Sequence, residues 1–170
     1  VRRTPKGAED DFGITTADRK PKPSALALSE IWSKVPWIEQ VNLPRASVVV
    51  CSYNGASTLD ECLASLVKLD YPDYEVILVD DGSTDHTKSI VKKYPTVKCI
   101  HQTNHGLSVA RNVGAHAATG QVVVYTDSDC VADPHWLRYL MITMVDQNLD
   151  AVGGPNVPPP SDSWAAQCVA

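Results

Sequence analysis

Glu75-Val76-Ile77-Leu78-Val79-Asp80-Asp81-Gly82 places an unbroken apolar run directly before two acids and a glycine. A run without polar alternation reads as a strand buried on both faces, and the Asp-Gly pair that follows reads as a turn. Upstream the same order stands once more, with Ser47-Val48-Val49-Val50-Cys51 leading into Asn54-Gly55. Between the two runs, Thr58-x-x-Glu61 has the form of a capping box, and Leu59, Leu63, Leu66 and Val67 recur at helical spacing. Strand, helix, strand is thus the expected order. Downstream, Ser83 or Thr84 is placed to cap a helix running through Ile90 and Val91 and stopping near Pro95. Residues 97–100 read as a third strand, residues 107–118 as an alanine-rich helix closed by Gly120, and residues 121–126 as a fourth strand. Asp133-Pro134 opens a further helix with Trp136, Leu137, Leu140, Met141, Met144 and Val145 along one side, and Ala151-Val152 is expected as a short last strand. Strands alternating with helices predict an α/β fold, a mostly parallel sheet with helices on both faces.

The composition agrees with a soluble globular chain: 44% hydrophobic, 21% charged and 6% aromatic over 170 residues. Lys and Arg number 15 against 20 Asp and Glu, a net charge of −5, which is the wrong sign for a protein that neutralises a phosphate backbone. Nucleic acid is therefore not an expected partner. Cys51, Cys62, Cys99, Cys130 and Cys168 show no C-x-x-C spacing and read as free thiols in a reducing compartment. No N-x-S/T sequon and no run of about 18 apolar residues occurs, so the expected location is cytoplasmic. The chain starts at Val1 without Met and stops straight after Cys168-Val169-Ala170, and it is read as a fragment truncated at the C-terminus. Residues 1–45, with Pro5, Pro21, Pro23 and Pro36 and mixed charge, read as a linker holding a short helix at residues 24–35.

In a parallel sheet, ligands bind beyond the carboxyl ends of the strands, so function is sought in the residues that follow each run. Asp127-Ser128-Asp129 is the sharpest feature there, two carboxylates at i and i+2 after an apolar strand. Burial at that point would call for a compensating cation, and a hard ion such as Mg²⁺ or Mn²⁺ takes carboxylates together with water and phosphate oxygens. The alternative is that either acid only caps a turn. Asp80 reads as part of a plain turn, whereas Asp81 reads as an acceptor for the N–H of a nucleobase. Tyr53 follows the first strand and could stack on a base or pack on the next helix. Arg111, alone in a helix of small residues, suits a diphosphate or an ion pair with Asp81 or Asp127. His86, His101, His105, His116 and His135 have no metal-ligand spacing. There is no G-x-S-x-G elbow, P-loop or G-x-G-x-x-G fingerprint, which removes the main support for hydrolase, P-loop and dehydrogenase readings.

Taken together, these segments resemble glycosyltransferase family 2, enzymes of the GT-A fold. The likeness rests on Ser47 to Gly55, on Val79-Asp80-Asp81-Gly82-Ser83-Thr84-Asp85, on Asn104-His105-Gly106-Leu107-Ser108-x-Ala110-Arg111-Asn112-x-Gly114, and on Tyr125-Thr126-Asp127-Ser128-Asp129-Cys130. Four motifs in one order cover residues 46–156, and residues 46–170 become the nucleotide-sugar-binding part of such a domain. The resemblance implies a nucleotide-diphosphate sugar donor, an acceptor hydroxyl and inversion at the anomeric carbon. It implies that Ser52, Tyr53 and Asn54 form the donor loop, that Asp81 holds the base with Tyr53 flanking it, and that Arg111 lies close by. Asp127 would face the ribose or the metal, and Asp129 would ligate the Mg²⁺ or Mn²⁺.

The resemblance places the general base in a following, acceptor-binding half. Asp146 and Asp150 look like a helix end and a turn, and Asp162 lies in a proline-rich loop, so no catalytic base is assigned and the fragment is expected to bind donor better than it transfers. Acceptor, donor sugar and nucleobase stay open, with polysaccharide synthesis and association with the inner face of a membrane through parts outside this chain as the implied setting. The alternatives are a non-catalytic nucleotide-binding module on the same sheet and a phosphoryl-accepting receiver domain. Against the receiver stand acids split between the second and fourth strands and the absence of a lysine after a later strand.

Overall fold

The computed structural model describes residues 42–154. The helix expected at residues 24–35, most of the linker, and the readings made of Asn156, residues 158–161, Asp162 and Cys168 lie outside the described residues. The elements are β1 (Ala46–Ser52), α1 (Leu59–Leu66), β2 (Tyr74–Asp80), α2 (Thr87–Val91), β3 (Lys98–His101), α3 (Leu107–Ala117), β4 (Val122–Asp127) and α4 (Trp136–Asp146). All pairings are parallel, and the strand order is β3-β2-β1-β4. The chain therefore steps outward from β1 to β3 and then returns to the far side of β1. The reversal between β1 and β4 is the switch point at which open α/β sheets bind ligands.

Register brings the strand ends onto one rim. Ser52 pairs with Asp80, Asp80 with His101, and Cys51 with Asp127. Alternation along β1 sorts the core into two halves. Val48 and Val50 face Leu59, Leu63 and Leu66 of α1 and Leu137, Leu140 and Met141 of α4, whereas Val49 joins Ile77, Val79 and Ala110 of α3 on the other side. Helices thus cover both faces, as the alternation of runs predicts.

α3 lies close to the sheet because its inner face is built from small residues. A Cβ at Gly114 would meet Val49 Cγ1 at 2.3 Å and Val79 Cγ2 at 3.3 Å. Gly114→Ala should gain about 1 kcal/mol of helix propensity yet lose about 1–3 kcal/mol to overpacking. The expected outcome is a lower melting temperature, and an unchanged or higher one would overturn this account of the packing.

Four local expectations need correction. Thr58 is the N-cap of α1, but its side chain makes no capping hydrogen bond, since Thr58 Oγ1 turns to the Gly55 carbonyl at 3.5 Å. Neither Ser83 nor Thr84 caps α2; both are held by Asn54, and it is Asp85 Oδ1 that accepts the Thr87 N–H at 3.0 Å. The third strand sits one residue later than expected, at Lys98–His101. Ala151-Val152 forms no strand, because Val152 packs on the α1/α4 side of the core and finds no ladder partner among the described residues.

Candidate functional site

The rim is assembled from the β1, β2 and β4 ends together with α3. Cys51 marks its centre, half-buried on the α3 face. Burial pushes the Cys51 thiol up, the Arg111 guanidinium pulls it down, and the Asp127 and Asp81 carboxylates push it up again. Register sets Cys51 beside Asp127, and Arg111 of α3 reaches that carboxylate from across the strand end. Arg111 Nη2 donates to Asp127 Oδ1 at 3.1 Å, which is one of the two partners expected for it.

Asp127 is exposed, with 63% of its side chain accessible against 42% for Arg111. The burial expected for the Asp127-Ser128-Asp129 pair is thus corrected: among the described residues β4 is an outer strand, and both carboxylates face solvent. No cation is required to offset desolvation. A solvated pair of this kind adds little to stability, so Arg111 and Asp127 are free to exchange partners with a bound anion or cation at small cost. Asp129 is exposed as well, and among the described residues its carboxylate accepts one hydrogen bond, from the Cys130 thiol at 3.8 Å.

The two acids at the end of β2 are both buried, Asp81 at 4% exposed, but they take different partners. Asp80 is 1% exposed, and it accepts the Ser83 N–H at 2.9 Å on one oxygen and His101 Nδ1 at 2.9 Å on the other. It is the turn residue the sequence suggests. Asp81 accepts Gln102 Nε2 at 2.6 Å and the His105 N–H at 2.9 Å on Oδ1, and the Gly106 N–H at 2.8 Å on Oδ2. A carboxylate offers about four acceptor positions, so one remains for a ligand donor. Gly82, between these loops, has φ +83 and would set a Cβ 2.7 Å from the Asn104 amide, which is why only glycine fits there.

Burial works to raise both Asp80 and Asp81. It is outweighed by hydrogen bonds, from Ser83 and then His101 in the first case and from His105, Gln102 and Gly106 in the second, and both carboxyls end below their ordinary range. Because the folded values are depressed, the stability these bonds supply is present above about pH 4 and is lost as pH falls through the folded values. Thermal melts from about pH 6 to about pH 3 should show a falling midpoint, and a flat profile would overturn this linkage.

In the loop after β1, Asn54 has φ +52; its N–H donates to Ser83 Oγ at 2.9 Å, and its Oδ1 accepts from the Thr84 N–H at 2.8 Å. Asn54 therefore braces the β1 and β2 loops together. Tyr53 projects from that loop, 55% exposed, and does not pack on the following helix as its bland reading would have it. Ser52 Oγ is buried without a hydrogen-bond partner, and a Cβ at Gly55 would lie 2.5 Å from it. Ser83, Thr84, Gln102 and His101 are the contributors that sequence reasoning missed. The first two stood in the motif after β2 but read as helix caps, and nothing local marked the others.

Chemically, the rim offers hard oxygen donors. No group of three or more His, Cys, Asp or Glu side chains positioned to hold a metal occurs among the described residues. The donor set of Asp127 and Asp129 fits an ion such as Mg²⁺ or Mn²⁺ that completes its shell with water and phosphate oxygens. A shallow concavity of about 400 Å³ elsewhere, between Lys68 of the α1 end and Val131, contains none of these acids.

The family model described as glycosyl transferase family 2 matches residues 47–166. An uncharacterised glycosyltransferase of Escherichia coli, YibD, is 36% identical over 110 residues, which are 62% of this chain and 32% of that protein. The crystal structure of S. aureus TarS 1-349 in complex with UDP-GlcNAc superposes with a TM-score of 0.58 at 32% identity, covering 66% of this chain and 37% of that one. The mannosyltransferase PcManGT from Pyrobaculum calidifontis, in complex with GDP-Man and Mn²⁺, gives 0.54 at 30% identity over 65% and 37%. The chain thus spans about a third of the length of each of these proteins.

Proposed function

Because this chain belongs to glycosyl transferase family 2 and has the GT-A architecture of its structural neighbours, we propose that its sheet rim binds a nucleoside-diphosphate sugar and a divalent cation, Mg²⁺ or Mn²⁺, for inverting transfer of the sugar to an acceptor hydroxyl. The observation that carries this reading is the alignment of the β1, β2 and β4 ends on one rim, with Arg111 of α3 bonded to Asp127 at the reversal between β1 and β4. Neighbours that hold UDP-GlcNAc, or GDP-Man with Mn²⁺, support the donor class and the kind of ion.

On this reading, Tyr53 stacks on the base and Asp81 takes the base N–H with its remaining acceptor position. Ser52 and Asn54 hold the donor loop, and Arg111 is drawn from Asp127 toward the diphosphate. Asp127 and Asp129 would hold the ion, which supplies neutralisation of the diphosphate charge as the sugar departs. An acceptor hydroxyl also needs a general base. Asp146 and Asp150 are both exposed at and beyond the end of α4, away from the rim elements, and neither takes that role. The chain by itself is therefore expected to bind donor without transferring sugar. No helix among the described residues is long and apolar enough to cross a membrane.

Calorimetric titration with UDP, dTDP and GDP, with and without Mn²⁺, tests the reading. One nucleotide is expected to bind, and to bind about tenfold or more tightly with the ion, a difference of about 1.4 kcal/mol. No binding of any of the three in either condition would overturn it.

A further inference from the structure

At the β3 end of the rim, Cys99 and His101 of the outer strand stand beside Asp80, the last residue of β2. β3 is an outer strand, and residues two apart on it share a face. Cys99 Sγ lies 3.5 Å from His101 Nε2, and His101 Nδ1 lies 2.9 Å from Asp80 Oδ2. The buried Asp80 carboxylate is pinned on its other oxygen by the Ser83 N–H, so it cannot swing away. His101 is 48% exposed, and Cys99 is half-buried, packed in part against the α1/α4 side of the core. A nucleophile, a base within reach of it and a third group that orients the base are the three parts of an activated thiol.

We propose that Cys99 is a reactive thiol that undergoes exchange with low-molecular-weight disulfides, with His101 as its general base and Asp80 as the residue that positions the imidazole.

Asp80 accepts the Nδ1–H and so leaves the Nε2 lone pair facing the sulfur. As Cys99 Sγ attacks one sulfur of the disulfide, its proton passes to Nε2 and the incoming S–S bond breaks. The departing thiolate then takes that proton from the imidazolium. One disulfide is consumed, and one protein mixed disulfide and one free thiol are formed, with no net oxidation. Burial and then the Asp80 carboxylate hold the resting Cys99 thiol above its ordinary value, so proton removal by His101 accompanies attack. A thiol of higher pKa is also the better nucleophile once deprotonated. The other described cysteines lack this arrangement. Cys62 is fully buried and pushed up to about 12, and neither Cys51 nor Cys130 has an imidazole within hydrogen-bond reach among the described residues.

The test treats the chain with glutathione disulfide and follows each cysteine by peptide mass spectrometry. Cys99 should form its adduct at least about tenfold faster than Cys51 and Cys130, and His101→Gln should slow Cys99 alone by about 100-fold. Added imidazole should restore the rate in His101→Gly, which a purely structural role for His101 would not produce. Asp80→Asn keeps an oxygen for Ser83 but offers an amide N–H to Nδ1. It should move the ring proton to Nε2, visible in the ¹⁵N shifts of His101, and slow the exchange likewise. If Cys99 in the unaltered chain reacts no faster than Cys51 and Cys130, or if imidazole fails to rescue a folded His101→Gly, the proposal is wrong. Neither result depends on nucleotide binding.

Discussion

Asp129→Ala is expected to abolish the gain that Mn²⁺ gives to nucleoside-diphosphate binding and to leave metal-free binding where it was. Asp129 is exposed and, among the described residues, accepts one hydrogen bond, from the Cys130 thiol at 3.8 Å, so its carboxylate contributes little to the fold. Removing it should change stability by less than about 0.5 kcal/mol. Its proposed work is entirely toward the ion, and loss of one carboxylate from a shell with few protein ligands should weaken metal-dependent affinity by about 10- to 100-fold. Calorimetry with and without Mn²⁺ separates the two effects, and a Mn²⁺ gain that survives the substitution would remove Asp129 from the metal site. Asp127→Ala makes the complementary comparison. It also releases Arg111, now 3.1 Å from Asp127 Oδ1, so its effect should extend to metal-free binding.

Asp81→Ala should be the more damaging change, because it strikes structure and ligand together. Three donors, at 2.6, 2.9 and 2.8 Å, lose their acceptor, and two of them are backbone N–H groups, of His105 and Gly106. His105 and Gly106 are exposed, so water can replace the lost acceptor and each bond is worth roughly 0.5–1.5 kcal/mol net; about 1–3 kcal/mol of destabilisation is expected in urea titrations. Gly106 is the N-cap of α3, with φ 87, and Arg111 lies on that helix. The loop that enters α3 therefore slackens along with the acceptor for the base. Nucleotide binding should weaken with and without Mn²⁺, unlike the pattern for Asp129→Ala. A variant as stable as the parent chain would overturn the role given to these three bonds. Metal-free binding equal to that of the parent would remove Asp81 from the base site.

The strand runs were legible to within a residue because burial on both faces leaves no polar interruption in Val48-Val49-Val50 or Val76 to Val79, and both are indeed in the core. The strand-end acids were legible for the same reason, as charges following a run that tolerates none. What those acids do was less so. Asp127 reads as a buried charge until β4 is seen to be the outer strand, where its end meets water. Ser83 and Thr84 read as helix caps because that role needs only neighbours in sequence, yet both are held by Asn54, some 30 positions away. His101 has no spacing that suggests a role, and acquires one only because β3 pairs with β2 in the register that sets it beside Asp80.

The sequence by itself determined the order of strands and helices and which acids would stand at strand ends, since hydrophobic periodicity and turn residues are local properties. Tertiary structure alone decided which partner each polar side chain took. A carboxylate or a hydroxyl binds whatever donor the fold carries to it, and parallel pairing brings those donors from residues far along the chain.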